Sequence, residues 1–507
     1  MSAARKIIYS IQGVLTLKGN LNVDLSEDIT AAFSKYTHEI KYWFEENYLI
    51  LEISSDETQW PAFTVLMELK NVYKTKFGKQ KIGIRDVSVR SAKIKIQLLE
   101  GEVEKVPEIK IYYADSIIVE NGFAVLTITK LDEYFLKKQL LRNVTKLFLD
   151  KLEKFGDIGK KEHWELLWQS PPRCKCEFTQ DPTETAMKLG WLKRYPGQGT
   201  FFFTPKLTAL IRSIEKIISE KILNKLSFQE AIFPKQIPLE IWQKSGHLTG
   251  VSSEVFYLCP PKIRDQKEFE DINDIIKVSD QIPREMYFQK LRDPIAGYCY
   301  AQCPPFYWFF GGELVQDEVL PIKWFDRSGP SFRWESGGLH GFERLNEFHR
   351  IEIVWLDQPA GVIKIRDQLM ECYREIFEDI FQLEWRLAKV TPWYYAHSGN
   401  TVGVEHDKEK GTIDYESYLP YRGSRTEAEW LEFQNISIHG DKFAKSFKIK
   451  NPKENELWTG CSGIGLERWT VTLIAQHGPD LDKWPETMQP YIERAKKLQE
   501  LKLITWP

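Results

Sequence analysis

Residues 331–353 read SFRWESGGLHGFERLNEFHRIEI, and residues 458–470 read WTGCSGIGLERWT. In the first stretch a glycine-rich segment separates two β-like runs, the pattern of two strands joined by a hairpin loop. Strand side chains alternate with period two, so the second run puts Arg344, Asn346, Phe348, Arg350 and Glu352 on one face. An aromatic ring flanked by arginines is out of place in a hydrophobic core. It suits a flat stacking surface with guanidinium groups set for phosphates. In the second stretch Gly460, Gly463 and Gly465 let backbone approach a ligand closely, and an apolar helix follows at once. Arg468 falls in its first turn, pointing into a cleft where a nucleotide phosphate could lie.

Upstream, Leu207, Leu210, Ile211, Ile214, Ile218 and Leu226 trace one face at helical spacing, with Pro205 near the start. Then come Pro234, Trp242 and a Ser245-Gly246-His247 turn. Residues 171–182 carry Pro171, Pro172 and Pro182 and read as a turn-rich connector. Cys174 and Cys176 form a C-x-C pair with no second pair nearby, which does not make a zinc ribbon. From 362 to about 390 the pattern is strongly helical, and a polar loop follows to about 425. Residues 1–165 alternate β-like runs (6–19, 48–54, 81–99, 123–129) with amphipathic stretches such as 131–154. The expected organisation is an N-terminal α+β domain over 1–165, a connector over 166–204 and a second domain over 205–507.

The chain has 507 residues, 69 Lys+Arg against 72 Asp+Glu, 7 Cys, 17 Trp, 21 Tyr and 29 Phe. At about 150 residues per domain it has room for two to four packed cores. So many aromatic residues exclude disorder, and near-neutral charge excludes a basic nucleic-acid coat. Sparse cysteine fits a reducing cytoplasm, and neither a signal peptide nor a membrane span is expected. Locally, Lys70, Lys74, Lys76, Lys79, Lys81, Arg85, Arg90, Lys93 and Lys95 stand against Asp86 alone. Such a tract is either a solvated lysine face or a platform for a phosphate backbone.

Phe332-Arg333-x-Glu335 followed by Arg344-x3-Phe348-x3-Glu352 resembles motif 2 of the class II aminoacyl-tRNA synthetases. Gly463-x-Gly465-Leu466-Glu467-Arg468 resembles their motif 3, and the long helix with Pro234 resembles the dimer-forming motif 1. The resemblance implies a mixed, mainly antiparallel sheet flanked by helices over roughly 180–507, in a homodimer. It implies that Arg333 holds the α-phosphate and Arg468 the γ-phosphate, the two catalytic contacts. Glu335 and the backbone at Arg344 and Leu345 would hold adenine, Phe348 would stack on it, and Arg350 would complete the ATP site. Glu432 and Asn435 resemble the acidic strand that carries Mg²⁺ on ATP. Strict alternation separates these two, so a shared ion requires a bulge or a site at the strand end.

Cys303, Glu352 and Cys461 lie just before motif 2, at its strand end and at the start of motif 3. Two thiolates and a carboxylate can hold Zn²⁺ and leave a fourth position open. This set is similar to that of the methanogen-type (archaeal type 2) seryl-tRNA synthetases, as is an N-terminal domain without the coiled-coil hairpin of the usual seryl enzymes. That resemblance implies serylation of tRNA(Ser), and of tRNA(Sec) by analogy, with zinc reading the serine amino group. Ala301, Arg333, Glu352, Asn435 and Ser437 would contact serine, with His247 and Trp393 orienting it or the loop after 393. The basic tract from Lys70 to Lys95 would then meet tRNA. The alternatives are a threonyl-type zinc enzyme, a seryl carrier ligase or a synthetase-like regulator.

Overall fold

The computed structural model describes residues 5–18, 39–56, 62–79, 81–129, 131, 134–135, 138, 140–153, 164–173, 178–335, 338–390 and 409–501. The chain forms two units, Met1–Lys160 and Lys161–Pro507. Among the described residues no helix is long and apolar enough to cross a membrane.

In the first unit, strands β1 (Ile7–Lys18), β2 (Glu39–Glu45), β3 (Tyr48–Asp56), β4 (Gly83–Gln97), β5 (Ser116–Glu120) and β6 (Phe123–Ile128) make one antiparallel sheet. Their order is β2-β3-β1-β4-β6-β5. Period-two alternation gives the sheet two unlike faces. Ala92, Ile94 and Ile96 of β4 join a core with Leu66 and Phe77 of α1 (Ala62–Lys79) and Phe148 of α2 (Leu141–Glu153). Lys93 and Lys95 alternate with them and fall on the other face, where Ser10 of β1 pairs with Lys93. Both helices therefore cover the same side. Of the helix expected over 131–154, Leu141–Glu153 forms α2.

The second unit is built on a nine-stranded sheet. Its path is β10 (Gln229–Glu230), β14 (Ile322–Asp326), β16 (Glu347–Asp357), β20 (Trp458–Gly465), β19 (Leu431–Gly440), β18 (Gly411–Ser417), β17 (Trp385–Val390) and β7 (Trp164–Gln169). β15 (Pro330–Phe332) pairs with the outer end of β16. Only β10–β14 is parallel, so the expected mainly antiparallel core is what forms. Helices α4 (Pro205–Ile218), α8 (Pro359–Glu375) and α10 (Leu466–His477) share the main apolar cluster, with Trp355, Phe377, Tyr415 and Trp469 inside it. Gly460 is needed there, because a Cβ on it would lie 2.2 Å from the Trp355 ring.

Two expected boundaries move. Residues 166–204 are no free connector: β7 pairs with β17, Pro182 opens helix α3 (Pro182–Lys188), and β8 (Leu192–Arg194) pairs with β9 (Phe201–Phe203). Pro182 is the first helical residue, where the missing N–H costs nothing, rather than a breaker. The helical stretch expected to about 390 ends near Ile380, and Trp385–Val390 is a strand held on both sides. A smaller sheet, β11 (Gln236–Pro238), β13 (Ala296–Tyr298) and β12 (Tyr257–Leu258), brings the segment ahead of Cys303 to the mouth of the large one.

Candidate active site

A cleft of about 370 Å³ opens over β16, β20, β19 and β18 and is lined by both quoted stretches. Arg333 follows β15, where its backbone N–H donates to Asn346 at 3.0 Å. Its Nε donates to Glu254 at 2.6 Å and stands 3.1 Å from Glu335, and its guanidinium lies 5.4 Å from the Tyr300 ring centre. Burial alone would lower its pKa, but Tyr300, Glu335 and Glu254 outweigh that and raise it, so Arg333 stays charged. Phe348 carries the Arg350 guanidinium 5.4 Å from its ring centre. Arg344 and Asn346 precede β16, which begins at Glu347, and are therefore loop residues rather than strand residues. Arg344 and Leu345 still line the cleft.

Across from them, Arg468 stands in the first turn of α10. Its Nη1 donates to the Glu432 carbonyl at 2.7 Å and approaches the Glu432 carboxylate at 3.1 Å, while its Nε donates to the Glu343 carbonyl at 3.0 Å. Between β18 and β19 the register steps: Tyr415 faces Gln434 and Glu416 faces Glu432, leaving Phe433 as an extra residue. This bulge brings Glu432 and Asn435 together, with Asn435 Nδ2 donating to Glu432 Oε1 at 3.2 Å. Burial opposes ionisation of Glu432, but Arg468, Arg333 and Asn435 together hold its carboxyl below the ordinary range. An ionised carboxylate beside an amide oxygen is a donor set for a hard cation such as Mg²⁺. Two strand positions further on, the buried Ser437 hydroxyl meets Thr412 at 2.7 Å.

At the other end, Cys303, Glu352 and Cys461 offer ligand atoms that lie within 4.8 Å of one another. Cys303 precedes helix α7 (Pro304–Phe309), Glu352 lies mid-way along β16, and Cys461 is central in β20. Glu352 is 2 % exposed, and its Oε2 accepts no hydrogen bond. Arg350 stands 3.5 Å from that oxygen. A Cβ on Gly463 would press on both, at 3.3 Å from Glu352 Oε2 and 3.1 Å from Arg350 Nε, so glycine keeps the space above the carboxylate open. Burial pushes the Glu352 carboxyl above its usual range, and the neighbouring Cys303 pushes the Cys461 thiol well up. Three acidic side chains buried at one end of the cleft, with one carboxylate oxygen that has no hydrogen bond among the described residues, fit a bound cation, and two sulfurs with one oxygen favour zinc.

His247 is buried against Trp242, with ring centres 5.1 Å apart, and its Nδ1 pairs with Ser245 at 2.9 Å. Burial, helped by Lys442 and Arg350, pulls its pKa down to about 3, so the ring is neutral. Ala301 lines the same end. Trp393, like Cys174 and Cys176, lies outside the described residues, as does the side chain of Lys76. The basic tract is not gathered on one face. Lys74 and Lys79 are exposed on α1, Lys81, Arg85 and Arg90 follow at and along β4, and Lys93 with the less exposed Lys95 lies on the sheet face that α1 does not cover.

Several residues that support the cleft have roles that the sequence does not reveal. Glu254 clamps Arg333 from a short turn 79 positions away. Asn346 is 3 % exposed: its Oδ1 accepts from Glu335 N–H at 3.0 Å and its Nδ2 donates to the Gln198 carbonyl at 2.9 Å. Glu343, equally buried, accepts from Tyr421 at 2.9 Å and from Arg422 beneath the glycine-rich loop. The one available signal was Asn346 itself, an amide inside an otherwise charged and aromatic run.

Two family models match the chain: a tRNA-binding domain over residues 29–150, and the class II tRNA synthetase core domain (G, H, P, S and T) over 300–477. A type-2 serine–tRNA ligase from Methanococcoides burtonii is 43 % identical over 86 % of this chain and 85 % of its own length. The chain belongs to the type-2 serine–tRNA ligases. The Methanocaldococcus jannaschii member is 35 % identical over 92 % of this chain and 89 % of its own. The structure of Methanopyrus kandleri SerRS, solved in complex with A. aeolicus tRNASec, matches with a TM-score of 0.88 at 30 % identity and covers 99 % of both chains. Ligation of serine to tRNA on a class II core with an N-terminal tRNA-binding domain is therefore the family's activity and architecture. The threonyl, carrier-ligase and regulator alternatives give way to it.

Proposed function

We propose that the cleft joins L-serine to ATP as seryl-adenylate, releasing pyrophosphate, and passes the seryl group to the 3′-terminal hydroxyl of tRNA(Ser) and tRNA(Sec) with AMP as the leaving group, zinc reading the serine amino group. The observation that carries this reading is the meeting of Arg333, Arg468 and the Cys303–Glu352–Cys461 cluster in one cleft. In the first step the serine carboxylate attacks the α-phosphorus and the bond to the pyrophosphate oxygen breaks. Alignment and charge stabilisation suffice for this, without a dedicated general base.

Arg333 is charged and half-enclosed by Glu254 and Glu335, which hold it near the place of the α-phosphate. Glu432 and Asn435 would hold Mg²⁺, which would supply positive charge beside the ATP phosphates, and Arg468, now against Glu432, turns to the γ-phosphate. Phe348 stacks on adenine, with Glu335 and the backbone at Arg344 and Leu345 at its edge and Arg350 nearby. Ala301, Asn435, Ser437 and His247 surround serine, and Trp393 follows them on the family pattern. Zinc, when bound to Cys303, Glu352 and Cys461, supplies a Lewis-acid position for the amine. The second unit works as a homodimer through the motif 1 helix.

For tRNA, the M. kandleri complex supports tRNA(Sec) as a second substrate. The basic tract supports a backbone-reading platform, and its division between α1 and the open sheet face makes the side testable. Lys74→Ala and Lys79→Ala on α1, against Lys93→Ala and Lys95→Ala on the sheet, separate the two. On the side that meets tRNA each loss lowers the salt slope of binding by about 1. Amino-acid-dependent ATP–pyrophosphate exchange tests the core of the reading. Exchange with serine, but not threonine or alanine, and its loss in Cys461→Ser are expected. Exchange with threonine at a comparable rate would overturn the specificity.

A further inference from the structure

We propose that Glu343, held by Tyr421 and Arg422, is the positioning residue of the γ-phosphate arginine: its carboxylate locks the stem of the glycine-rich loop, and its carbonyl fixes the guanidinium of Arg468. This rests on the assignment of Arg468 to the γ-phosphate and adds what sets that side chain's direction. Glu343 lines the open cleft, yet it is only 3 % exposed. A carboxylate so enclosed needs partners on both oxygens. The Tyr421 hydroxyl lies 3.0 Å from Oε1 and 2.9 Å from Oε2, Arg422 makes an ion pair, and His340 Nδ1 stands 2.6 Å from Oε1. Tyr421 and Arg422 belong to one short turn, Pro420–Arg422, which lies 78 and 79 positions further along the chain. On its outer side the exposed Glu429 spans Arg422 at 3.7 Å and Arg344 at 3.4 Å.

The stem is pinned on its other side as well. Phe342 is fully buried in the main core, and its N–H donates to Thr183 at 3.1 Å. Gly341, with φ +49°, passes so close that a Cβ would lie 2.1 Å from the Thr183 hydroxyl. With the stem fixed and the carboxylate locked, the Glu343 carbonyl has one direction, and it accepts from Arg468 Nε at 3.0 Å. The two ends of that guanidinium therefore meet different partners. Nε is bonded to a neutral carbonyl, which does not compete for an anion. Nη1 lies 3.1 Å from the Glu432 carboxylate, a charge that a phosphate can replace. Holding Nε keeps the planar fork aimed into the cleft while its Nη groups change partner, so less freedom is lost when the phosphate binds.

The test measures binding of ATP with Mg²⁺, and of AMP, to the full-length protein by calorimetry. AMP keeps the adenosine and α-phosphate but lacks the γ-phosphate, so a change that merely loosens the cleft weakens both. Arg422→Met should weaken ATP roughly tenfold and AMP less than twofold. Arg422→Lys, which keeps a cation on the carboxylate, should recover much of the difference. Tyr421→Phe, which removes only a hydroxyl, should move ATP the same way by less. Placed in Arg468→Ala, Arg422→Met should weaken ATP less than twofold further, because it acts through the arginine already lost. Equal weakening of ATP and AMP by Arg422→Met, or full additivity with Arg468→Ala, would overturn the proposal. If Arg422→Met does not fold, an unchanged preference for ATP over AMP in Tyr421→Phe would overturn it equally. Failure of the γ-phosphate assignment looks different: Arg468→Ala by itself would then leave the preference for ATP over AMP unchanged.

Discussion

At the phosphate end of the cleft every key cation already has an anion of its own: Arg333 lies against Glu254 and Glu335, and Arg468 against Glu432. At the amine end Cys303, Glu352 and Cys461 bury three acidic side chains together, and Glu352 keeps an oxygen without a hydrogen bond among the described residues. On the proposed reading one end exchanges partners, its charges held in ion pairs that ATP and Mg²⁺ would replace. The other gathers two thiols and a carboxylate beside the one guanidinium of Arg350. Preorganised charge is what phosphoryl chemistry needs, whereas three acidic groups gathered beside Arg350 are better stabilised with a further cation among them.

The largest effect should come from the phosphate end. Arg333→Ala removes the cation and leaves Glu254 and Glu335 facing each other, so kcat/KM for serine-dependent exchange should fall about 10²–10³-fold, or ~3–4 kcal/mol. A loss below tenfold would break the assignment of Arg333 to the α-phosphate. At the amine end the sign reverses when stability is measured. Glu352→Gln should raise the metal-free protein's stability by about 1–2 kcal/mol while abolishing stabilisation by added zinc. Equal melting of the two metal-free proteins would mean the carboxylate is better satisfied than the geometry indicates.

Asn346→Ala probes the support rather than the contacts. It removes the amide that pins Glu335 N–H and the Gln198 carbonyl, and should cost about 1–3 kcal/mol in stability, with a raised KM for ATP. An unchanged KM would mean the loop holds itself. The smallest effect belongs to His349, whose Nδ1 lies 2.7 Å from Glu467 at the back of motif 2 and whose pKa Glu467 raises. Because the folded pKa lies above the unfolded one, the pair's stabilisation is complete below about pH 6.5 and is lost as pH rises through the folded value. Urea unfolding from pH 5 to 8 should show that slope, reduced by solvent screening, and Glu467→Gln should flatten it.

The two ends were also unequally legible. Phe332–Glu335, Arg344–Glu352 and Gly463–Arg468 could be read because alternation and glycine spacing act locally, and the class II core followed from them. The cysteine pair needed the family frame, since 158 positions separate Cys303 from Cys461 and only the sheet order brings them together. Glu432 and Asn435 needed a bulge that alternation cannot place, because Phe433 becomes extra only once β18 sets the register. Glu254 left no trace, and Asn346 showed only as an amide in a charged run, because their roles are to hold guanidinium and backbone groups set by tertiary contact. The connector was misread for the same reason: Trp164–Gln169 is an edge strand only because β17 lies beside it.

The most direct test of a cleft with one self-neutralised end and one metal-dependent end is serine-dependent ATP–pyrophosphate exchange on chelator-stripped protein, titrated back with Zn²⁺. Exchange should vanish on stripping and return in full at one zinc per chain, with threonine inactive throughout. Serine exchange that survives complete zinc removal would contradict the account and leave Cys303, Glu352 and Cys461 as packing residues.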